Sequence, residues 1–184
     1  MKEFKKNTWF YPLPVTIIGT YDENMNANAM NAAWATIYDY NTVILNLGHH
    51  KTTDNLELNK AFTLAFATKD TLEASDYVGL VSFEKEPNKI KNAGLTPMKA
   101  PNVNAPLFKE YPLTLECKVR SIDEDYHVIG DIVAIQADEK ILTDGNVDPK
   151  KLNAISFDPI NHNYLLLSGE IAGEAFKAGL KYKK

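Results

Sequence analysis

The sequence predicts a mainly β domain, a β-barrel or α+β arrangement with short helices inserted between its strands, and three observations carry that expectation. Residues Leu113 to Arg120 alternate apolar with polar, the two-residue period of a strand. Other short runs rich in β-branched and aromatic residues are separated by clusters of Asp, Asn, Gly and Pro, which favour turns. The helical segments are short and do not alternate one for one with strands, as βαβ units require.

Composition narrows the function classes. The chain has 184 residues, 45% hydrophobic and 24% charged, the balance of a globular chain that buries a core, and its length predicts one domain over residues 1–184. Twenty Lys plus Arg against 24 Asp plus Glu leave a net charge of -4. No basic block interrupts the body of the chain, which disfavours nucleic-acid binding because that rests on neutralising many phosphates. The single cysteine, Cys117, excludes an intrachain disulfide and a Cys-based metal centre, and suits a reducing, cytoplasmic location. No apolar run approaches the ~20 residues of a membrane helix. The amino-terminal MKEFKK leads straight into Trp9, Phe10 and Tyr11, without the apolar core of a signal peptide.

In chain order, Leu13 to Tyr21 reads as a strand and Asp22 to Asn26 as a hairpin turn. Ala27 to Thr36 is built from small residues and Asn. Its Ala and Met content favours helix, but the preceding turn and Trp34 suit a strand, one whose small side chains let a ligand approach the backbone. Thr42 to Leu47 is the next strand, followed by a loop from Gly48 to Thr53 and a short helix from Thr53 to Lys60. Phe62 to Ala67 alternates as a strand, and helices are expected over Thr71–Leu80 and Pro87–Ala93, the latter closed by Gly94. Four prolines between Leu95 and Pro112 predict an ordered loop or lid anchored by Leu95, Met98, Val103, Leu107 and Phe108. The 113–120 strand should bury Leu113, Leu115, Cys117 and Val119 and wet its other face; Tyr126 to Ala137 should be covered on both faces. Asn163 to Leu167 is a last strand before a basic tail from Gly169 to Lys184.

Catalytic templates are absent: the chain has no G-x-S-x-G, P-loop, H-E-x-x-H or G-x-G-x-x-G. His49, His50, His127 and His162 lack helical ligand spacing, so no metal is expected. Cys117 lies on the apolar face of its strand and reads as an inert thiol. One constellation remains, Gly48-His-His-Lys-Thr-Thr-Asp-Asn55, which puts a lysine and two hydroxyls at a helix start. Those are the parts that hold a phosphate, although a capped helix following a strand carries the same signature. Lys89 would add a second positive charge.

These pieces together resemble the flavin reductase-like family of FMN-binding split barrels, and within it the flavoredoxin-like branch. The resemblance runs in order through Tyr11 to Thr20, Asn28-Ala-Met-Asn-Ala-Ala-Trp34, His50-Lys-Thr-Thr-Asp54, Ala74 to Ser82 and Ala93 to Pro97. It continues through Asn104-Ala-Pro106, Leu115 to Val119, Ile129 to Ala134 and Leu167-Ser-Gly-Glu170. It implies a split β-barrel that binds FMN at a homodimer interface, with NADH or NADPH as electron donor and a redox protein as a further partner. By the same resemblance, Ala29, Met30, Asn31, Ala32, Ala33 and Trp34 lie along the flavin ring. His50, Lys51, Thr52 and Thr53 hold the phosphate with Asn55 behind them, Asp76 and Tyr77 reach the flavin, and Lys89 completes phosphate neutralisation. The chain departs from the family where Gly48 and His50 replace a frequent Arg or Ser, Phe83 a common Gly, and Val78 a frequent Cys. Flavin chemistry needs little from side chains, so no catalytic residue is assigned; His49, His50 and Tyr77 are the groups to test first. The activity implied is that of an NAD(P)H:flavin oxidoreductase or electron carrier, the alternative being a split barrel that binds flavin without turnover.

Overall fold

A computed structural model describes residues 1–183. Seven strands form one antiparallel sheet: β1 (Thr16–Tyr21), β2 (Ala27–Ala32), β3 (Ala35–Asp39), β4 (Thr42–Asn46), β5 (Ala61–Phe66), β6 (Leu113–Ile122) and β7 (His127–Ala137). Their spatial order is β2-β1-β5-β6-β7-β4-β3. The two edges are therefore consecutive in sequence, joined only by Ala33 and Trp34. A flat sheet of this width would hold its edges about 29 Å apart, whereas the step from Ala32 to Ala35 spans roughly 10 Å. The sheet must curl until its edges nearly meet, and the result is a split barrel.

The strands bury one face inside that curl. Ile18, Leu45, Phe62, Leu64, Leu115, Cys117 and Val128 form the interior cluster, and Gly130 leaves the space that the Phe62 ring fills. On the outer face Ile17, Ala29 and Ala65 meet Val78 of helix α2 (Leu72–Leu80) and Ile90 of α3 (Lys89–Asn92). Helix α1 (Lys51–Asn59) lies across one end, where Asn55 donates to the Thr20 hydroxyl at 3.0 Å. A smaller sheet joins Leu13–Pro14 to β8 (Ile155–Asp158) and β9 (Asn163–Leu166).

Several expected elements differ in detail. The small-residue segment is two strands, not one, because Ala33 and Trp34 carry the chain between sheet edges. Helix α1 begins at Lys51 rather than Thr53: the Thr53 hydroxyl accepts the His50 N–H and donates to the His50 carbonyl, so it caps the first turn from within. The supposedly wet face of β6 is dry at Thr114 and Glu116, because the proline-rich segment folds over it as a Pro97–Lys99 and Pro106–Phe108 hairpin. Glu116 is fully buried there, accepting the Asn102 N–H, the Asn102 side-chain amide and the Gln136 amide at 2.8, 2.9 and 2.6 Å. In β7, expected to be covered on both faces, Val133 and Ile135 are exposed. The tail is less polar in effect than its charge suggested, since Ile171, Phe176, Leu180 and Tyr182 face outward; Lys184 lies outside the described residues. Among the described residues, no helix is long and apolar enough to cross a membrane.

Candidate functional site

A cavity of about 540 Å3 opens beside the free edge of β2. An edge strand presents backbone N–H and C=O groups that no neighbouring strand pairs, and here the edge carries Asn28, Met30 and Asn31. The opposite walls are the start of α1, with His49, His50, Lys51 and Thr52, and the chain leaving α2 from Val78 to Glu84. Small residues make this approach physically available. Gly79 of α2 sits so close to Asn31 that an added Cβ would lie 3.0 Å from the Asn31 Cβ, and the Asn31 amide donates to the Ser75 carbonyl at 3.0 Å.

Two lysines, Lys51 and Lys89, and two carboxylates, Asp54 and Glu84, line the cavity, and they differ in how they are held. Lys89 is only 3% exposed, and its Nζ donates to the Val78 and Val81 carbonyls at 3.0 and 2.8 Å. Val78 is in the last turn of α2 and Val81 is its C-cap, so both carbonyls lie at the negative end of the helix dipole, and no carboxylate pairs with Lys89 among the described residues. Burial pulls its pKa down to about 8. Lys51, at the positive end of α1, is partly exposed and pairs with Glu23 at 2.9 Å, which raises its pKa. First-turn amides of a helix lack intrahelical acceptors, and here the α1 start, Lys51 and Lys89 line the same cavity. Of the two lining carboxylates, Asp54 is held by His49 at 3.0 Å.

Polar groups in the wall are incompletely satisfied. The Asn28 side chain is 2% exposed and donates to the Thr52 hydroxyl at 3.0 Å, but its Oδ1 has no partner. A buried carbonyl without a donor is unfavourable by about 1–3 kcal/mol, and a ligand hydroxyl would satisfy it. Past Asn31, Gly79 and Leu80 a second hollow of about 270 Å3 continues the trough, lined also by Ala33, Asp76 and Tyr164. There the Tyr164 hydroxyl donates to Asp76 at 2.7 Å. Burial and that carboxylate push the Tyr164 pKa up to about 12.

The structure thus gathers Met30, Asn31, His50, Lys51, Thr52 and Lys89 around one cavity, and places Ala33 and Asp76 at its continuation. Other expected residues stand back from it. Ala29 packs in the outer cluster and Ala32 in the barrel interior, so any role at the cavity falls to their backbone. Trp34 points to a separate apolar hollow with Phe10 and Ile44. Thr53 and Asn55 are buried behind the first turn of α1, and Tyr77 packs against the outer cluster. His49 lines the cavity but is held by Asp54 at 3.0 Å and lies against the Tyr126 ring. Asn28 and Tyr164 were not singled out from sequence. Asn28 follows the hairpin turn in the same small-residue strand, a signal that could have found it; Tyr164 is 88 residues from Asp76 and carried no signal. The Cys117 thiol is buried in the barrel and its pKa is pushed up to about 12, chiefly by burial, which keeps it inert.

Comparison with known proteins fits this geometry. Residues 8–151 match the family described as "Flavin reductase like domain". The flavoredoxin of Desulfovibrio vulgaris (Miyazaki F) superposes with a TM-score of 0.92 at 32% identity, covering 97% of this chain and 99% of that one. A flavoredoxin from Methanosarcina acetivorans gives 0.88 at 27% identity over 99% and 100%. An FMN-binding domain of a flavin reductases-like enzyme from Shewanella baltica shares the fold alone, at 0.77 and 18% identity over 88% and 89%. No curated protein matches the chain in sequence. An edge-to-edge split barrel, a matching profile over most of its length and a 32% identical relative aligned from end to end lead to one conclusion: the chain belongs to the flavin reductase-like family.

Proposed function

We propose that the chain, as one domain over residues 1–184, binds FMN in the cavity beside β2 and acts as an NAD(P)H:flavin oxidoreductase or flavoredoxin-type electron carrier. The observation that carries this reading is a buried ammonium without a carboxylate, Lys89, in the same cavity as an unpartnered buried acceptor, Asn28 Oδ1. A phosphate answers the first and a polyol hydroxyl the second; FMN carries both on one chain. Lys51, Lys89, His50 and the α1 amides would hold the phosphate, Asn28 and Thr52 the ribityl chain, and the free edge of β2 with Asn31 the polar rim of the ring. Bound flavin supplies the hydride and electron chemistry. The protein's residues hold it, orient it and restrict access, with Asp76 fixed by Tyr164 at the far end of the trough.

The working unit on this reading is a homodimer with the flavin at its interface, in the cytoplasm. Its support is the apolar surface that one chain leaves uncovered: Ile37, Tyr38 and Tyr40 at the β3 end, and Ile171, Phe176 and Leu180 on the carboxy-terminal arm. The purified protein should be yellow or bind added FMN stoichiometrically, and anaerobic stopped-flow mixing with NADH or NADPH should bleach the flavin band. A protein that is colourless and ignores FMN overturns the reading. One that binds FMN but is reduced by neither nicotinamide is a flavin-binding or sensing protein instead.

A further inference from the structure

The two hollows of the trough beside β2 differ in their charged groups. The larger is lined by charges of both signs. The smaller, past Asn31, Gly79 and Leu80, holds the Asp76 carboxylate of α2, and its walls at Val15, Ala33, Leu80 and Phe157 are apolar. No Lys, Arg or His pairs with Asp76 among the described residues. Its side chain is instead held by Tyr164 of β9, whose hydroxyl donates to Oδ1 at 2.7 Å. Asn31 lines both hollows and acts on the same hydroxyl, its amide opposing the rise in the Tyr164 pKa that burial and Asp76 cause. Asn31, Tyr164 and Asp76 thus form one polar row that leads from the free edge of β2 into the smaller hollow and ends on a negative charge without a counter-ion among the described residues.

A hydrogen bond donated to a carboxylate favours its charged form and fixes its orientation. Tyr164 therefore keeps Asp76 ionised and lining the trough, where a half-buried carboxylate left alone would swing toward water. Between apolar walls a charge acts more strongly than the same charge in bulk solvent. Electrons arriving on a bound flavin bring negative charge, and a fixed carboxylate opposes them. We propose that Asp76, with Tyr164 as its positioning residue, lowers the reduction potential of a flavin seated along β2 and so makes the reduced protein a stronger electron donor. An acceptor of low potential is the partner such a charge suits. The proposal rests on the flavin reading of the neighbouring cavity.

The test is spectroelectrochemical titration of the full-length, FMN-loaded protein and of Asp76→Asn, Tyr164→Phe and the double variant, alongside titration of each flavin-free protein with oxidised FMN. Asp76→Asn should bind oxidised FMN within about twofold of the parent and reduced FMN about tenfold more tightly, which is a two-electron midpoint about 30 mV higher. Tyr164→Phe keeps the charge but frees the carboxylate to turn to water, and should give a smaller rise. Added to Asp76→Asn it should change nothing more, because the two side chains act through one charge. A purely structural tie between β9 and α2 would lower the urea midpoint of the flavin-free variants and leave the potential where it was; that result overturns the proposal, as does a potential that falls in Asp76→Asn. A further rise in the double variant overturns the assignment of Tyr164 as the residue acting through Asp76. Should Asp76→Asn fail to fold, the potential of Tyr164→Phe decides. Failure of the parent protein to bind FMN removes the flavin reading and this proposal with it, whereas FMN bound at an unmoved potential in the variants removes this proposal alone.

Discussion

Two charged side chains, Lys89 and Glu116, are both buried outside the curl of the sheet, and their surroundings differ. Glu116 lies under the proline-rich hairpin with three donors from Asn102 and Gln136 on its carboxylate. Lys89 lies beside a cavity and donates to two carbonyls at the end of α2, with no carboxylate paired to it among the described residues. Burying a charge is unfavourable unless hydrogen bonds and counter-charge compensate it. Glu116 is compensated within the chain, so its role is structural: it ties the hairpin to β6. Lys89 is compensated only in part, and the missing part has the charge of a phosphate. A completed polar cluster marks architecture, and an incomplete one beside a cavity marks a binding site.

The comparison breaks most readily at Glu116. Glu116→Ala should destabilise the fold by about 3 kcal/mol by stranding the Asn102 donors under the hairpin, measured by urea unfolding, with FMN affinity of the folded fraction within about twofold. Lys89→Met should do the reverse, weakening FMN about thirtyfold through loss of a desolvated phosphate contact while leaving the urea midpoint of the flavin-free protein unchanged or higher. Equal destabilisation by both variants would erase the distinction.

The pH dependence sharpens it. Lys89 has a pKa of about 8 in the flavin-free fold against 10.5 ordinarily, so between those values the unfolded chain holds a proton that the fold has released. Stability of the flavin-free protein should therefore rise from pH 8 to 10.5, the gain being complete above the unfolded value and lost as pH falls through 8. FMN affinity should move oppositely, falling about tenfold from pH 7 to 9 as the ammonium is lost, while riboflavin affinity stays flat in the same titration. The smallest effect is expected at Lys51. Because Lys51 is partly exposed and already shared with Glu23, Lys51→Ala should weaken FMN only about fivefold, and riboflavin less; equal losses would remove it from the phosphate wall.

Much of this was readable from residue order. The alternation of β6, the strand character of the small-residue segment and the short helix after the 48–53 loop follow from side-chain size, period and capping residues. What was misread shares one cause. Thr114 and Glu116 looked wet because polar residues alternate there, yet a loop 14 residues away closes over them. Val133 and Ile135 looked buried because they are apolar, yet they are exposed.

The sequence by itself determined the class of fold, because local period, turn residues and small side chains act over a few positions, and the ordered resemblance of its motifs pointed to the family. Tertiary structure alone decided that Ala33 and Trp34 bridge two sheet edges, that Tyr164 holds Asp76 across 88 residues, and that Lys89 is buried without a counter-charge. The physical reason is that desolvation depends on what folds over a residue, and strand order and loop closure bring that cover from distant segments of the chain.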